Sequence, residues 1–263
     1  MESRQAALSE VNQVMLGKWI QRGLLAGMAL LVAAAIGPGC AEPESSLFIR
    51  HVVVIQPPDC AARAEPDGLF IQEGLVDVAL RDEYQAVLLV GNQLVPRGSQ
   101  DQVRTETSRI ALQNATVRIE DVNGNVLSDY QVPIAGFVDQ SLGIEPGYGL
   151  ASLPLIDSRA IAAVRASLAK GASRRLISFV KVTGKTLGDS EVTSGEFQFI
   201  VKACNGCLIQ FPPEADDPSL DGPDCLAPVE TNNLNNATLP CLLGQDAVID
   251  CRFCNSREAC QRP

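Results

Sequence analysis

The chain contains a single histidine, His51, and this scarcity limits the catalytic chemistry that it can support. A Ser-His-Asp or Cys-His hydrolase uses a histidine as its general base, so any such site would have to use this one residue. His51 lies within a run of β-branched residues, which favours a position on the surface of a sheet. Glycine-rich phosphate loops are absent as well. We therefore predict no enzyme, no catalytic residue, no metal site and no cofactor.

Basic residues are scarce relative to acidic ones. The chain has 21 Lys and Arg against 31 Asp and Glu, a formal net charge of −10. Residues 1–39 hold three basic and two acidic side chains, so the rest of the chain carries −11. Such an acidic surface disfavours nucleic acid and anionic lipid as partners.

Long apolar runs are also rare, and the one that stands out is close to the amino terminus. The run from Gly23 to Cys40 has no charged residue, and Lys18 and Arg22 precede it. A basic flank, an apolar core and small residues at a cleavage point are the plan of an export signal. No later run is long enough to span a membrane, for which roughly 20 apolar residues are needed. The sequence thus predicts an exported protein.

The end of this run, Ile36-Gly37-Pro38-Gly39-Cys40, resembles the lipobox of bacterial lipoproteins. In that family the chain is cut before the cysteine, the sulfur receives diacylglycerol, and the new amine is acylated. The resemblance implies lipidation of Cys40 and a mature protein tethered to the cell envelope. Ala41, not Asp, follows the cysteine, which by resemblance to the enterobacterial sorting pattern implies the outer membrane. The alternatives are an uncleaved transmembrane anchor and a signal peptide without lipid.

Composition divides the chain into four segments. Residues 1–39 are the predicted signal peptide, or 15–39 if Met15 is the true start, and 40–46 form a short tether. Residues 47–203 alternate in the manner of strands, and 204–263 form a cysteine-rich tail. The tail holds seven cysteines and shows little periodicity, so cross-links must replace a large apolar core there.

Strand patterns dominate the predicted domain. The clearest is 111–121, where Ala115, Val117 and Ile119 alternate with polar residues and Asn123-Gly124 follows as a hairpin turn. Residues 158–170 form the one predicted helix, with Asp157 as N-cap. The other predicted strands are 47–55, 75–80, 84–95, 134–138, 150–156, 175–183 and 196–203.

The absence of β-α-β alternation favours an all-β fold, an antiparallel two-sheet sandwich of immunoglobulin-like architecture. In 84–95 we place Val87, Leu89 and Gly91 on one face. The predicted core positions are Val53, Val78, Leu89, Val117, Ile119, Phe197, Phe199 and Val201.

The nine cysteines indicate a disulfide framework once Cys40 is set aside for lipid. Eight remain, of which only Cys60 lies outside the tail. Seven tail cysteines cannot all pair among themselves, so Cys60 must bridge to the tail, and we predict Cys204 or Cys207 as its partner. The predicted disulfide cysteines are Cys60, Cys204, Cys207, Cys225, Cys241, Cys251, Cys254 and Cys260.

Two Cys-x-x-Cys pairs, Cys204–Cys207 and Cys251–Cys254, leave other chemistry open. Together they could form a zinc ribbon, and either could serve thiol exchange. The segment Pro240–Cys251 is similar to segments of uncharacterised cysteine-rich envelope lipoproteins, a likeness that implies no activity. We predict a lipid-anchored envelope protein of structural or binding type, with an envelope protein or glycan as partner. The alternatives are an exported thiol-redox or metal-binding protein, or an enzyme with an unrecognised site.

Overall fold

A computed structural model of the chain describes residues 46–96, 107–212, 225 and 239–260. The predicted signal and the lipidation residue Cys40 lie outside the described residues. The strands, numbered in chain order, are β1 (Leu47–Val53), β2 (Phe70–Ile71), β3 (Glu73–Asp77), β4 (Tyr84–Asn92), β5 (Ile110–Asp121), β6 (Val126–Val138), β7 (Gly147–Ile156), β8 (Ser173–Thr186), β9 (Glu191–Thr193), β10 (Phe197–Cys204), β11 (Ile209–Gln210) and β12 (Ile249–Asp250).

The strands form the all-β, two-sheet sandwich that the sequence predicts. The smaller sheet has the order β2-β1-β4-β7, and the larger has the order β3-β10-β8-β5-β6, with β9 paired to β8. Antiparallel pairing holds throughout the smaller sheet, but β3 runs parallel to β10 in the larger one. The chain leaves the smaller sheet after β2 and enters the larger one at β3. A short parallel pair, β11 with β12, lies in the tail.

The β5–β6 hairpin forms the centre and one edge of the larger sheet. Its turn is closed by Asp121, whose Oδ1 accepts the backbone N–H groups of Asn123 at 2.8 Å and Asn125 at 2.9 Å. Hydrogen bonds from Asn125 and Asn123 hold the pKa of Asp121 below its usual value. Gly124 has a φ of +81°, which suits glycine. The return strand continues without a break to Val138, because Pro133 lies on the sheet edge, where a proline is tolerated.

The predicted core positions are buried, with one exception and one change of face. Phe197 is half-buried and packs against the core. Leu89 is fully buried, but it is Leu88 and Val90 that join the core between the sheets. β4 lies between β1 and β7, and its residues 88–92 are all buried. Because this apolar run does not alternate with polar residues, its pattern does not show which residues face the other sheet, and the predicted face of β4 was wrong.

The helix α1 (Ser158–Arg165) is shorter than the predicted 158–170. Asp157 caps it by accepting the N–H of Ala160 at 2.9 Å, as predicted. Beyond the helix, the Ser167 hydroxyl donates back to the Val164 carbonyl at 3.2 Å, a local bond that competes with further helical turns.

Replacing Ile119 by Ala should test the core between the sheets. Ile119 is fully buried, so we expect the free energy of unfolding to fall by about 2–5 kcal/mol. Val122→Ala, at the exposed turn of the same hairpin, should change it by less than about 0.5 kcal/mol. Urea unfolding of the chain from residue 41 onward measures both, and equal losses would contradict this packing.

Candidate functional site

The carboxyl-terminal tail returns to the sandwich and covers the outer edge of β3. The Asp77 N–H donates to the Gly244 carbonyl at 2.9 Å, and the Asp246 N–H donates to the Leu75 carbonyl at 2.9 Å. Gln245 forms an antiparallel bridge with Val76 between these two bonds. An uncovered strand edge invites pairing with other chains, so this contact protects the larger sheet. We call residues Gly244–Asp246 the clasp.

The side chain of Gln245 extends the clasp to the smaller sheet. Its Oε1 accepts the Gln85 N–H at 3.0 Å, and its Nε2 donates to the Gln85 carbonyl at 2.6 Å. The amide thereby satisfies both backbone groups of one β4 residue, as a neighbouring strand would. The clasp therefore binds both sheets at once.

Tyr84 and Asp246 form the polar centre of the clasp. The Tyr84 hydroxyl donates to Asp246 Oδ2 at 2.9 Å, and the Leu75 N–H donates to Oδ1 at 2.7 Å. The Tyr84 ring is fully buried and lies against Gly74, where a Cβ would approach the ring to 2.5 Å.

Burial sets the protonation of this pair. Desolvation, followed by the nearby Asp246 carboxylate, raises the pKa of Tyr84 well above its ordinary value. Asp246 is exposed as a residue, but burial of its carboxyl group raises the pKa of Asp246, against the lowering effect of the hydrogen bonds from Leu75, Tyr84 and Gln245. The tyrosine hydroxyl thus remains a donor at neutral pH.

A disulfide between Cys60 and Cys241 fastens the tail just before the clasp. The two Cα atoms are 5.4 Å apart. The prediction that Cys60 bridges to the tail is confirmed, but the predicted partner was wrong, because Cys204 and Cys207 pair with each other. The bridge joins residues 181 positions apart. The chain-entropy account values such a loop at about 5 kcal/mol, an upper figure.

Between the tail and the sandwich lies a cleft of about 730 Å³. Its walls are mainly apolar and come from the end of β1, from β2 and β4, and from the tail. The volume falls within the roughly 300–1,000 Å³ of small-molecule sites. Glu73, at the rim, accepts a hydrogen bond from Arg175 Nε at 2.9 Å. Side chains that give the cleft its character are Val54, Phe70, Ile71, Tyr84, Val87 and Leu242.

The Cys204–Cys207 disulfide lies in the loop after β10, beside buried Asp77. The Asp77 carboxylate accepts the N–H groups of Gly206 at 2.8 Å and Leu208 at 3.0 Å, and so shapes this loop. Cys204 is buried and Cys207 is exposed. The carboxylate and both sulfurs lie within 4.8 Å of one another, the spacing of a metal site. With both sulfurs in a disulfide, however, no thiolate is available as a ligand.

The remaining cysteines form a second, smaller core. Cys225 pairs with Cys251 and Cys254 pairs with Cys260, and all four are buried. The four cysteines of the two Cys-x-x-Cys pairs therefore do not form one zinc site. The predicted disulfide framework is confirmed for all eight cysteines. Apolar neighbours complete this core, namely Leu80, Ile209 and Ile249.

His51 lies on a sheet face, as predicted. Its ring stacks on Phe70 with the ring centroids 5.1 Å apart. Burial, and secondarily the charge of Arg50, lower the pKa of His51, which favours the neutral ring. Within the described part of the chain, Nε2 is buried without a hydrogen-bond partner. His51 is thus placed as a side chain that packs on the face of the sheet.

Comparisons with known proteins identify no family. No family model and no curated protein matches the chain. Among solved structures, the solution structure of a late embryogenesis abundant (LEA) protein aligns with 72% of this chain and 89% of that one, at 11% identity and a TM-score of 0.34. A structural similarity this weak gives no indication of function. Within the described residues, none of the helices has the length and apolar character needed to cross a membrane.

Tyr84→Phe should reveal the buried tyrosine through pH. Because the pKa of Tyr84 is raised, the native state retains its proton above pH ~10 while the unfolded chain releases it. Stability then falls as pH rises through that range. At pH 7 the variant should lose about 1 kcal/mol with the hydrogen bond, and this deficit should shrink above pH ~10. Urea unfolding from pH 7 to 11 measures it, and a constant deficit would refute the assignment.

Proposed function

We propose that the protein is a lipid-anchored binding protein of the bacterial cell envelope, with no catalytic role. The observation that carries the binding part is the cleft between the tail and the sandwich. Polar groups of the clasp lie beside apolar walls there, a combination typical of ligand sites. The site would take an apolar segment of an envelope protein or glycan conjugate.

The proposed lipid anchor is supported by the lipobox-like segment and by the cysteine pairing. Four disulfides engage the eight cysteines after Cys40, so none of these eight is left to pair with it. Disulfides persist in exported proteins and are rare in reducing compartments. A cysteine left over beside an export signal is the residue that lipidation would use. The outer membrane is the proposed location, on the resemblance of Cys40-Ala41 to the enterobacterial sorting pattern.

Cys40→Ser should remove the anchor. We expect the variant either to leave the membrane fraction or to retain its signal and run larger on a gel, because the acyl chains hold the mature chain on the bilayer. Ser45→Ala, in the tether, is the matched control and should behave as wild type. Unchanged membrane association together with unchanged mobility of the Cys40→Ser chain would contradict the proposal.

The cleft can be tested with N-phenyl-1-naphthylamine, an uncharged apolar fluorophore. The exported chain from residue 41 onward should bind the dye, and Leu242→Glu should weaken binding about tenfold by placing a charge in the apolar wall. Leu239→Glu, three residues earlier in the tail, is the matched control, because Leu239 is exposed and lies outside the lining. Equal binding by both variants would show that the dye does not occupy the cleft.

A further inference from the structure

The described chain enters the sandwich beside the loop that joins β6 to β7. The Gln93 N–H donates to the Ser46 carbonyl at 2.8 Å, which places the entry point next to the end of β4. The Ser141 N–H in turn donates to the Leu94 carbonyl at 2.9 Å. These bonds connect the entry point to the β6–β7 loop, so both lie at the same end of the sandwich.

The tip of this loop presents two large apolar side chains to solvent. Leu142 is 74% exposed and Ile144 is 96% exposed. The tip is a tight turn, because Leu142 and Glu145 exchange backbone hydrogen bonds of 2.8 and 3.1 Å. Gly143, with a φ of +65°, allows the turn. Glu145 is the one charged residue among residues 140–146.

Further apolar side chains are exposed at the same end. Val95 is 59% exposed and Leu187 is 50% exposed. Both lie beside the start of β5, since the Leu187 N–H donates to the Arg109 carbonyl at 2.9 Å and Val95 O accepts the Ser108 hydroxyl at 2.7 Å. We call this surface the apolar end, and define it by Val95, Leu142, Ile144 and Leu187.

Among the described residues at this end, two basic side chains form ion pairs. Arg109 binds Asp139 at 2.9 Å, and Lys185 binds Asp189 at 2.9 Å. With Arg109 and Lys185 each paired to a carboxylate, the described part of this surface suits a zwitterionic lipid surface better than an anionic one.

The tether fixes how far this end can lie from the membrane. Ser46 follows Cys40 by six residues, which span at most about 20 Å when fully extended. If Cys40 carries lipid, as the proposed function requires, Ser46 cannot lie farther than this from the bilayer surface, and the apolar end lies at the same end of the sandwich as Ser46. Exposed apolar patches mark sites of protein or membrane contact, and the bilayer lies close enough to this patch to be its partner.

We propose that the apolar end docks on the bilayer and inserts Leu142 and Ile144 at the boundary between the lipid head groups and the acyl chains. The acyl chains on Cys40 and these two side chains then hold the sandwich by the same end. The opposite end, which carries the β5–β6 turn, points away from the membrane.

A tryptophan probe tests this inference in the lipidated protein. The one tryptophan, Trp19, precedes Cys40, so a mature chain beginning at Cys40 has none. Ile144→Trp in the lipidated protein should emit at shorter wavelength on phosphatidylcholine vesicles than the same substitution in the unlipidated chain from residue 41 onward in buffer. It should also lose fluorescence when the lipid carries acyl-chain bromine. Val122→Trp, in the exposed β5–β6 turn at the opposite end, should show neither effect.

Two readouts separate failure of the inference from failure of the proposed function. The mass of the purified protein reports whether Cys40 is acylated, and an unacylated chain would overturn both. An acylated chain on vesicles whose Ile144→Trp emission matches that of Val122→Trp would overturn the insertion alone. Bromine quenching of Ile144→Trp and of Leu142→Trp, without quenching of Val122→Trp, supports the insertion.

Discussion

The fold depends on the contact that residues Gly244–Asp246 make with both sheets at once. Their backbone pairs with the edge of β3, and the Gln245 amide completes the hydrogen bonding of Gln85 in β4. Without them these buried or half-buried backbone groups would lose their partners, at a cost of about 1–3 kcal/mol for each group left buried. The Cys60–Cys241 disulfide favours the same contact, because it holds the tail near the sandwich and so lowers the entropy cost of bringing residues 244–246 to the edge of β3.

The same contact creates the cleft. A sandwich alone would leave the end of β1 and the short β2 facing solvent at its edge. The tail crosses in front of them and is tied down at Cys241 on one side and at Gln245 on the other. The cleft thus has one wall from the sandwich and one from the tail, and the bond between Tyr84 and Asp246 closes it at the clasp.

Much of the sandwich could be predicted because its strands carry local signals. The alternation in β5, the Asn123-Gly124 turn and the Asp157 cap are short-range features, and each lies where the sequence indicated. The face of β4 was wrong because a strand buried on both sides has no alternation to interpret. The parallel pairing of β3 with β10 was missed because it joins strands more than a hundred residues apart.

The disulfide pairing could likewise be predicted only in part from the sequence. Counting predicted that Cys60 must pair with the tail, since parity does not depend on shape. The choice of Cys241 depends on the path of the tail along β3, which no local pattern encodes. The clasp itself carries one weak signal, the Leu243-Gly244-Gln245-Asp246 turn, in which Gly244 has a φ of +75°. Neither Tyr84 nor Gln245 could be singled out, because their partners lie about 160 residues away.

The intact mass of the protein extracted from membranes tests the central claim most directly. We predict a chain that begins at Cys40, carries diacylglycerol and an amide-linked acyl group, and lacks the eight hydrogens removed by four disulfides. A chain that retains residues before Cys40, or one with free thiols among the eight paired cysteines, would contradict it.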